Sequence, residues 1–195
     1  MANDTTEMII RDMLITIGEN PDREGLVGTP NRVVRMWKEL FRGYDKTQLP
    51  KITMFKNGAD GIVYDEMIND EGTFYSQCEH HMVPFFGKYY FAYIPHPEGK
   101  ILGLSKVARV VDYFSAKLQI QERLAKEIVD YIYDKLSEGE KAPIGIALVM
   151  QGEHLCKTMR GVKKKGQMRT TILKGAIKED AATRAEFMSW VNKHG

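Results

Sequence analysis

The apolar residues of this 195-residue chain change their period near Pro50. Before it, Ile9, Ile10, Met13, Leu14 and Ile17 recur at helical spacing, with Asp4 and Thr5 placed as N-caps and Gly18 as the stop. Residues 18–28, rich in Gly, Asn, Pro and Asp, read as a connector. Thr29 and Pro30 then form a cap and a first-turn proline, and Val33, Met36, Trp37, Leu40 and Phe41 make a second helical stripe that ends at Gly43. After Pro50, residues 61–67, 72–78 and 85–94 favour β-branched and aromatic side chains and predict strands. Ser105 is placed to cap a helix carrying Val107, Val110, Val111 and Phe114. After a turn at 118–120, another helix begins near Gln121 with Leu124, Ile128, Ile132, Tyr133 and Leu136. Residues 144–150 form a buried-strand pattern and 170–177 its partner. Strands, two helices and strands again predict an α+β fold with an antiparallel sheet over 51–195, preceded by a helical segment over 1–50.

Charge narrows the function. The 28 Lys and Arg nearly balance 26 Asp and Glu, a net +2, which excludes a protein whose affinity rests on neutralising many nucleic-acid phosphates. Any anion it binds has to be met by a local cluster. The start, Met1-Ala2-Asn3-Asp4, has no basic or apolar leader character, and no apolar run approaches the roughly 18 residues of a membrane span. A cytoplasmic protein with no membrane partner is expected, and cytosolic thiols are kept reduced.

The two cysteines are the focus of the chemistry. Cys78-Glu79-His80-His81 sets a thiol and an imidazole at C-x-x-H spacing, so that one turn can bring both to a single cation. His154-Leu155-Cys156 supplies a second sulfur, and if the strand continues through it, His154 and Cys156 share a face. Cys78, His81 and Cys156 would leave one tetrahedral position open, as catalytic zinc requires. The bland alternative is two buried thiols packed as small hydrophobes. His80 and His154 suit either proton transfer or the orientation of a ligand, whereas His96, between two prolines, reads as part of a surface turn. Ser105, Lys106, Arg109, Gln121, Glu122, Arg123 and the basic run 160–165 offer polar and cationic groups suited to a triphosphate. Each one alone also fits a solvated face, and Glu122 in particular fits an i, i+4 pair with Lys126.

Taken in order, Cys78-Glu79-His80-His81, the run Gly103 to Arg109, the run Leu118 to Leu124, and His154-Leu155-Cys156 with Met159 to Val162 resemble the motifs of GTP cyclohydrolase I. The opening Thr29-Pro30-Asn31-Arg32 and the closing Thr183 to Phe187 are similar too, so the resemblance spans nearly the whole chain. It implies a T-fold subunit, an antiparallel sheet with two helices packed on one face, preceded by N-terminal helices. It further implies a homodecamer of two pentamers with sites at subunit boundaries. The implied reaction turns GTP and water into formate and 7,8-dihydroneopterin triphosphate, the entry step of folate or pterin synthesis. By the same resemblance Cys78, His81 and Cys156 hold Zn2+, and a zinc-activated water attacks C8 of the purine. His154 and His80 handle protons, Ser105 lies near the ribose, and Glu122 with Gln121 reads guanine. Lys106, Arg109, Arg160 and, from a neighbouring subunit, Arg32 contact the triphosphate. Residues 162–174 depart from the family pattern, which leads one to expect a Thr/Ser-rich strand and a longer loop, and Lys174 beside Gly175 is unfamiliar. No added N-terminal regulatory extension is expected.

Two rival readings fit the same residues. One is the related nitrile reductase of queuosine synthesis, which uses a cysteine nucleophile and a nicotinamide cofactor and needs no zinc triad. The other is a zinc-stabilised oligomer that binds without turnover, although a purely structural metal site has no need of His80, His154, Glu122 and Ser105 together.

Overall fold

The computed structural model describes residues 2–139 and 141–195. Helix α1 (Ala2–Thr16) begins ahead of its apolar stripe, so Asp4 and Thr5 fall in its first turn instead of capping it; the side chain of Asp4 lies outside the described residues. Its end is a Schellman motif: Gly18 has φ +90°, its N–H donates to Ile15 O, and Glu19 N–H donates to Leu14 O. Helix α2 (Thr29–Leu40) is capped by Gly28 and not by Thr29, whose Oγ1 accepts instead from the Arg32 guanidinium at 2.8 Å. Two 3-10 turns follow, and Gly43 sits so close to the backbone of residues 113–116 that an added Cβ would lie 2.4 Å from Tyr113 O.

The short strands β1 (Met54–Lys56) and β4 (Lys100–Leu102) pair antiparallel as a separate ribbon. Five strands make the main sheet: β2 (Ile68–Cys78), β3 (Pro84–Ile94), β5 (Leu118–Gln119), β6 (Gly145–His154) and β7 (Gln167–Gly175). Their order is β5-β2-β3-β6-β7, antiparallel except where β5 lies parallel to β2 through Gln77–Leu118 and Cys78–Gln119. The turn expected at 118–120 thus includes a two-residue strand. Residues 61–67 were expected as a strand and form a loop. Their backbone is captured by the buried Asn57, whose side chain accepts from Tyr64 N and donates to Tyr64 O and His96 O.

Helices α3 (Lys106–Ser115) and α4 (Gln121–Ser137) cover one face of the sheet. Val107, Val110 and Val111 of α3 and Leu124, Ile128 and Ile132 of α4 meet Phe74, Phe85, Phe91, Ile146 and Leu148 in the main core. Each such side chain contributes roughly 1.5–3 kcal/mol by burial. A single turn α5 (Leu155–Thr158) follows β6, and α6 (Ala176–Glu179) and α7 (Ala181–His194) follow β7. Phe187 and Val191 of α7 pack with Ile177 on the opposite face, against Tyr90, Ala92, Ala147 and Val149. The architecture is the T-fold subunit expected from the sequence, with this C-terminal helix added to the second face. Among the described residues no helix is long and apolar enough to cross a membrane.

Candidate active site

The hairpin joining β2 to β3 builds the first half of the site. Cys78 N–H donates to Val83 O, Met82 N–H donates to Cys78 O, and Met82 takes φ +55°, a left-handed conformation that closes the turn tightly. Residues 79–82 are thereby turned back over the end of β2. Glu79 is pinned by an ion pair to Arg123, which also donates to Gln119 Oε1 and Leu118 O. Arg123 is therefore tied to the frame of the site.

The second half comes from the end of β6. The strand stops at His154 and Cys156 lies in α5, so the strand alternation expected to put both side chains on one face does not operate. The helical turn nonetheless carries Cys156 to the hairpin: one ligand atom each from Cys78, His81 and Cys156 lie within 4.8 Å of one another. Three ligands on one zinc stand about 3.5–3.8 Å apart, so small rotamer adjustments would close the cluster on a cation. Cys78 is buried and Cys156 half-buried, and both are free thiols. Burial raises the Cys156 thiol, and the neighbouring Cys78 raises it further, because two adjacent thiolates repel. A cation between the sulfurs relieves that repulsion, so the donor set fits a soft divalent metal.

Around the cluster, His80 Nδ1 lies 3.6 Å from Cys78 Sγ, and Arg160 reaches His81 Nε2 at 2.8 Å. His154 is half-buried; burial lowers its pKa, opposed by the negative charge of Glu122. Its ring stacks on Phe85 and its Nε2 lies 3.1 Å from Gln121 Oε1. Glu122 is exposed in the first turn of α4 and forms no ion pair among the described residues; Lys126 pairs with Asp130 instead. The i, i+4 pairing that offered Glu122 a bland explanation is absent. A cavity of about 390 Å³ opens beside His154, Cys156, Lys157 and Gln167. A larger one, about 570 Å³ beside β1 and the far end of α4, holds none of these groups.

Other candidates lie elsewhere. Leu102, Gly103, Leu104 and Val107 line a pocket with Ile68 and Asn69 at the start of β2, whereas Cys78 is at its end, about 30 Å along the strand. Helix α3 runs the same way, for Ser76 Oγ donates to Ser115 O. Ser105 and Lys106 are thus at the distant end within one chain, and Arg109 is only one turn nearer. Arg32 is occupied with Gly25 O and Thr29 Oγ1 at the start of α2. The candidate residues therefore fall into two groups: Cys78, His80, His81, Gln121, Glu122, His154, Cys156 and Arg160 in one region, and Ser105, Lys106 and Arg109 outside it, while Arg32 is hydrogen-bonded within its own segment. His96 is a turn residue whose Nδ1 accepts from Glu98 N–H. Sequence reasoning overlooked Phe85, whose stacking partner is visible only once β3 and β6 pair through Phe85 and His154.

An antiparallel sheet with two helices on one face and a metal-capable Cys-His-Cys cluster at the strand ends defines a T-fold subunit with a candidate metal centre. Residues 6–192 match the family model for GTP cyclohydrolase I. The chain is 45% identical over 186 residues to GTP cyclohydrolase 1 of Acetivibrio thermocellus, covering 94% of each. It is 43% identical to that of Corynebacterium glutamicum, covering 95% of this chain and 91% of the relative. A crystal structure of the archaeosine synthase QueF-Like in the apo form is similar at 13% identity and a TM-score of 0.45, over 56% of this chain and 93% of that one. The chain belongs to the GTP cyclohydrolase I family. Its activity is the family's, the conversion of GTP and water to formate and 7,8-dihydroneopterin triphosphate.

Proposed function

We propose that this cytoplasmic enzyme works with zinc held by Cys78, His81 and Cys156, the observation that carries the reading being the convergence of their ligand atoms within 4.8 Å. Zinc bound there supplies Lewis acidity that makes water nucleophilic near neutral pH. His154 exchanges a proton with the imidazole ring of the purine, and His80, beside Cys78, is the second proton carrier. Glu122, exposed and without an ion pair among the described residues, accepts from the ring N–H and the exocyclic amine of guanine, for which one carboxylate has enough lone pairs. Arg160 meets the triphosphate.

The active site is completed by a second copy. The separation of Ser105, Lys106 and Arg109 from the cysteine cluster supports their delivery to a neighbour's ribose and triphosphate across a subunit boundary, and we assign Arg32 to the same boundary. We assign the assembly as a decamer of two pentamers, with the division of labour 1–50 for the helical segment and 51–195 for the catalytic T-fold. Formate release from GTP, measured before and after chelation and after zinc return, tests the reading. Activity should vanish with the metal and come back with it, Cys156→Ser should lose both, and undiminished turnover by metal-free protein would overturn the assignment.

A further inference from the structure

Gln121 was expected to read guanine, but its side chain is already fully engaged. It is completely buried, and its Nε2 donates toward Met150 O at 3.1 Å, Met168 O at 3.0 Å and Thr170 Oγ1 at 3.0 Å. Two of these acceptors are backbone carbonyls of adjacent strands, so the amide cannot turn over without placing oxygen against oxygen. Its Oε1 therefore faces His154, 3.1 Å from Nε2. The space it occupies is reserved by Gly152, where an added Cβ would lie 2.4 Å from that oxygen. Phe85 fixes the plane of the same imidazole from its face, 4.5 Å away and 7° from parallel.

We propose that Gln121 is a positioning residue: its locked carboxamide, able only to accept on that side, holds His154 as the Nε2–H tautomer and leaves Nδ1 as the nitrogen that meets substrate. An oxygen acceptor at hydrogen-bond distance demands a proton on the nitrogen it faces. The ring then has one orientation and one tautomer before GTP arrives, held by β6, β7 and α4 together. This rests on the reading of His154 as a proton carrier.

The test uses zinc-loaded enzyme with 15N-labelled histidine, with solid-state NMR reporting the tautomer and the His154→Asn difference spectrum assigning the ring. Wild type should show His154 protonated at Nε2. Gln121→Met, close in size but without the amide, should give mixed tautomers at unchanged zinc content. Its kcat should fall roughly tenfold to a hundredfold, while KM for GTP stays within about twofold. An Nδ1–H signal in wild type overturns the proposal, as does a Gln121→Met defect confined to KM, which would restore Gln121 to substrate reading. The wild-type spectrum decides the tautomer even if Gln121→Met does not fold. Undiminished turnover by His154→Asn would instead overturn the role of His154, leaving the tautomer assignment to stand on its own signal.

Discussion

Phe85 and His154 lie face to face across the β3–β6 pair, with ring centroids 4.5 Å apart and planes 7° from parallel. Phe85 is fully buried and also meets Phe74 edge-on at 5.9 Å. Phe85→Leu should therefore cost about 1–2 kcal/mol of stability from lost contact and a small void. With the ring of His154 freed on one face, kcat should fall more than KM rises. Urea midpoints with parallel steady-state kinetics measure both; a variant that loses stability and keeps wild-type kcat would show that the stack serves the core alone.

Glu122 offers a second test, because Lys126 is committed to Asp130 and Glu122 has no ion-pair partner among the described residues. Glu122→Ala should leave stability and zinc content nearly unchanged and lower kcat/KM for GTP by about 1.5–3 kcal/mol, tenfold to more than a hundredfold. Inosine triphosphate lacks the exocyclic amine, so wild type should discriminate against it and the variant should discriminate less. Equal losses on both nucleotides count against guanine recognition.

The proposed sharing of the site between subunits predicts complementation. Arg32→Ala and His154→Ala chains, each inactive alone, should regain part of the activity when dissociated and reassembled together, because some boundaries then pair an intact Arg32 with an intact His154. Mass spectrometry establishes that mixed assemblies form. Mixed assemblies without recovery would return Arg32 to a role within its own chain.

Asp70 gives the stability a pH dependence. Burial raises its pKa above the ordinary 3.8, although Tyr89 Oη donates to it at 3.1 Å. A raised folded-state pKa means the native protein holds the proton more tightly than the unfolded chain. That contribution is fully present below 3.8 and is lost as pH climbs through the raised folded value. Asp70→Asn stays neutral throughout, so its melting temperature should exceed wild type at neutral pH, with the gap closing toward acid. Thermal melts across pH 3.8 to neutrality check this; a constant gap would assign the effect to packing.

Elements with a long apolar period were legible in the sequence. The stripes of α3 and α4 and the cores of β2, β3 and β6 follow directly from residue type. What escaped depends on partners remote in the chain. Residues 61–67 have strand composition, yet Asn57, itself anchored to His96 O, holds Tyr64 in a loop. The convergence of Cys78, His81 and Cys156 was legible because spacing and chemistry coincide, although Cys156 arrives through a helical turn. Lys174 looked anomalous until β7 packed beside α4, where its Nζ pairs with Asp130 at 2.7 Å and lies 4.6 Å from the Tyr133 ring centroid. The burial of Gln121 was illegible for the same reason: its three acceptors belong to β6 and β7, which follow α4 in the chain.

The placement of Ser105 and Cys78 near opposite ends of β2 has an arithmetic consequence. If the Ser105 end of one chain completes the Cys78 end of the next, as proposed, each chain carries two unlike halves, one offered to each neighbour. An open row then wastes a half at either end, whereas a closed ring wastes none. Turnover per chain thus becomes a gauge of ring closure, and dilution should silence the enzyme by breaking rings before it unfolds any subunit.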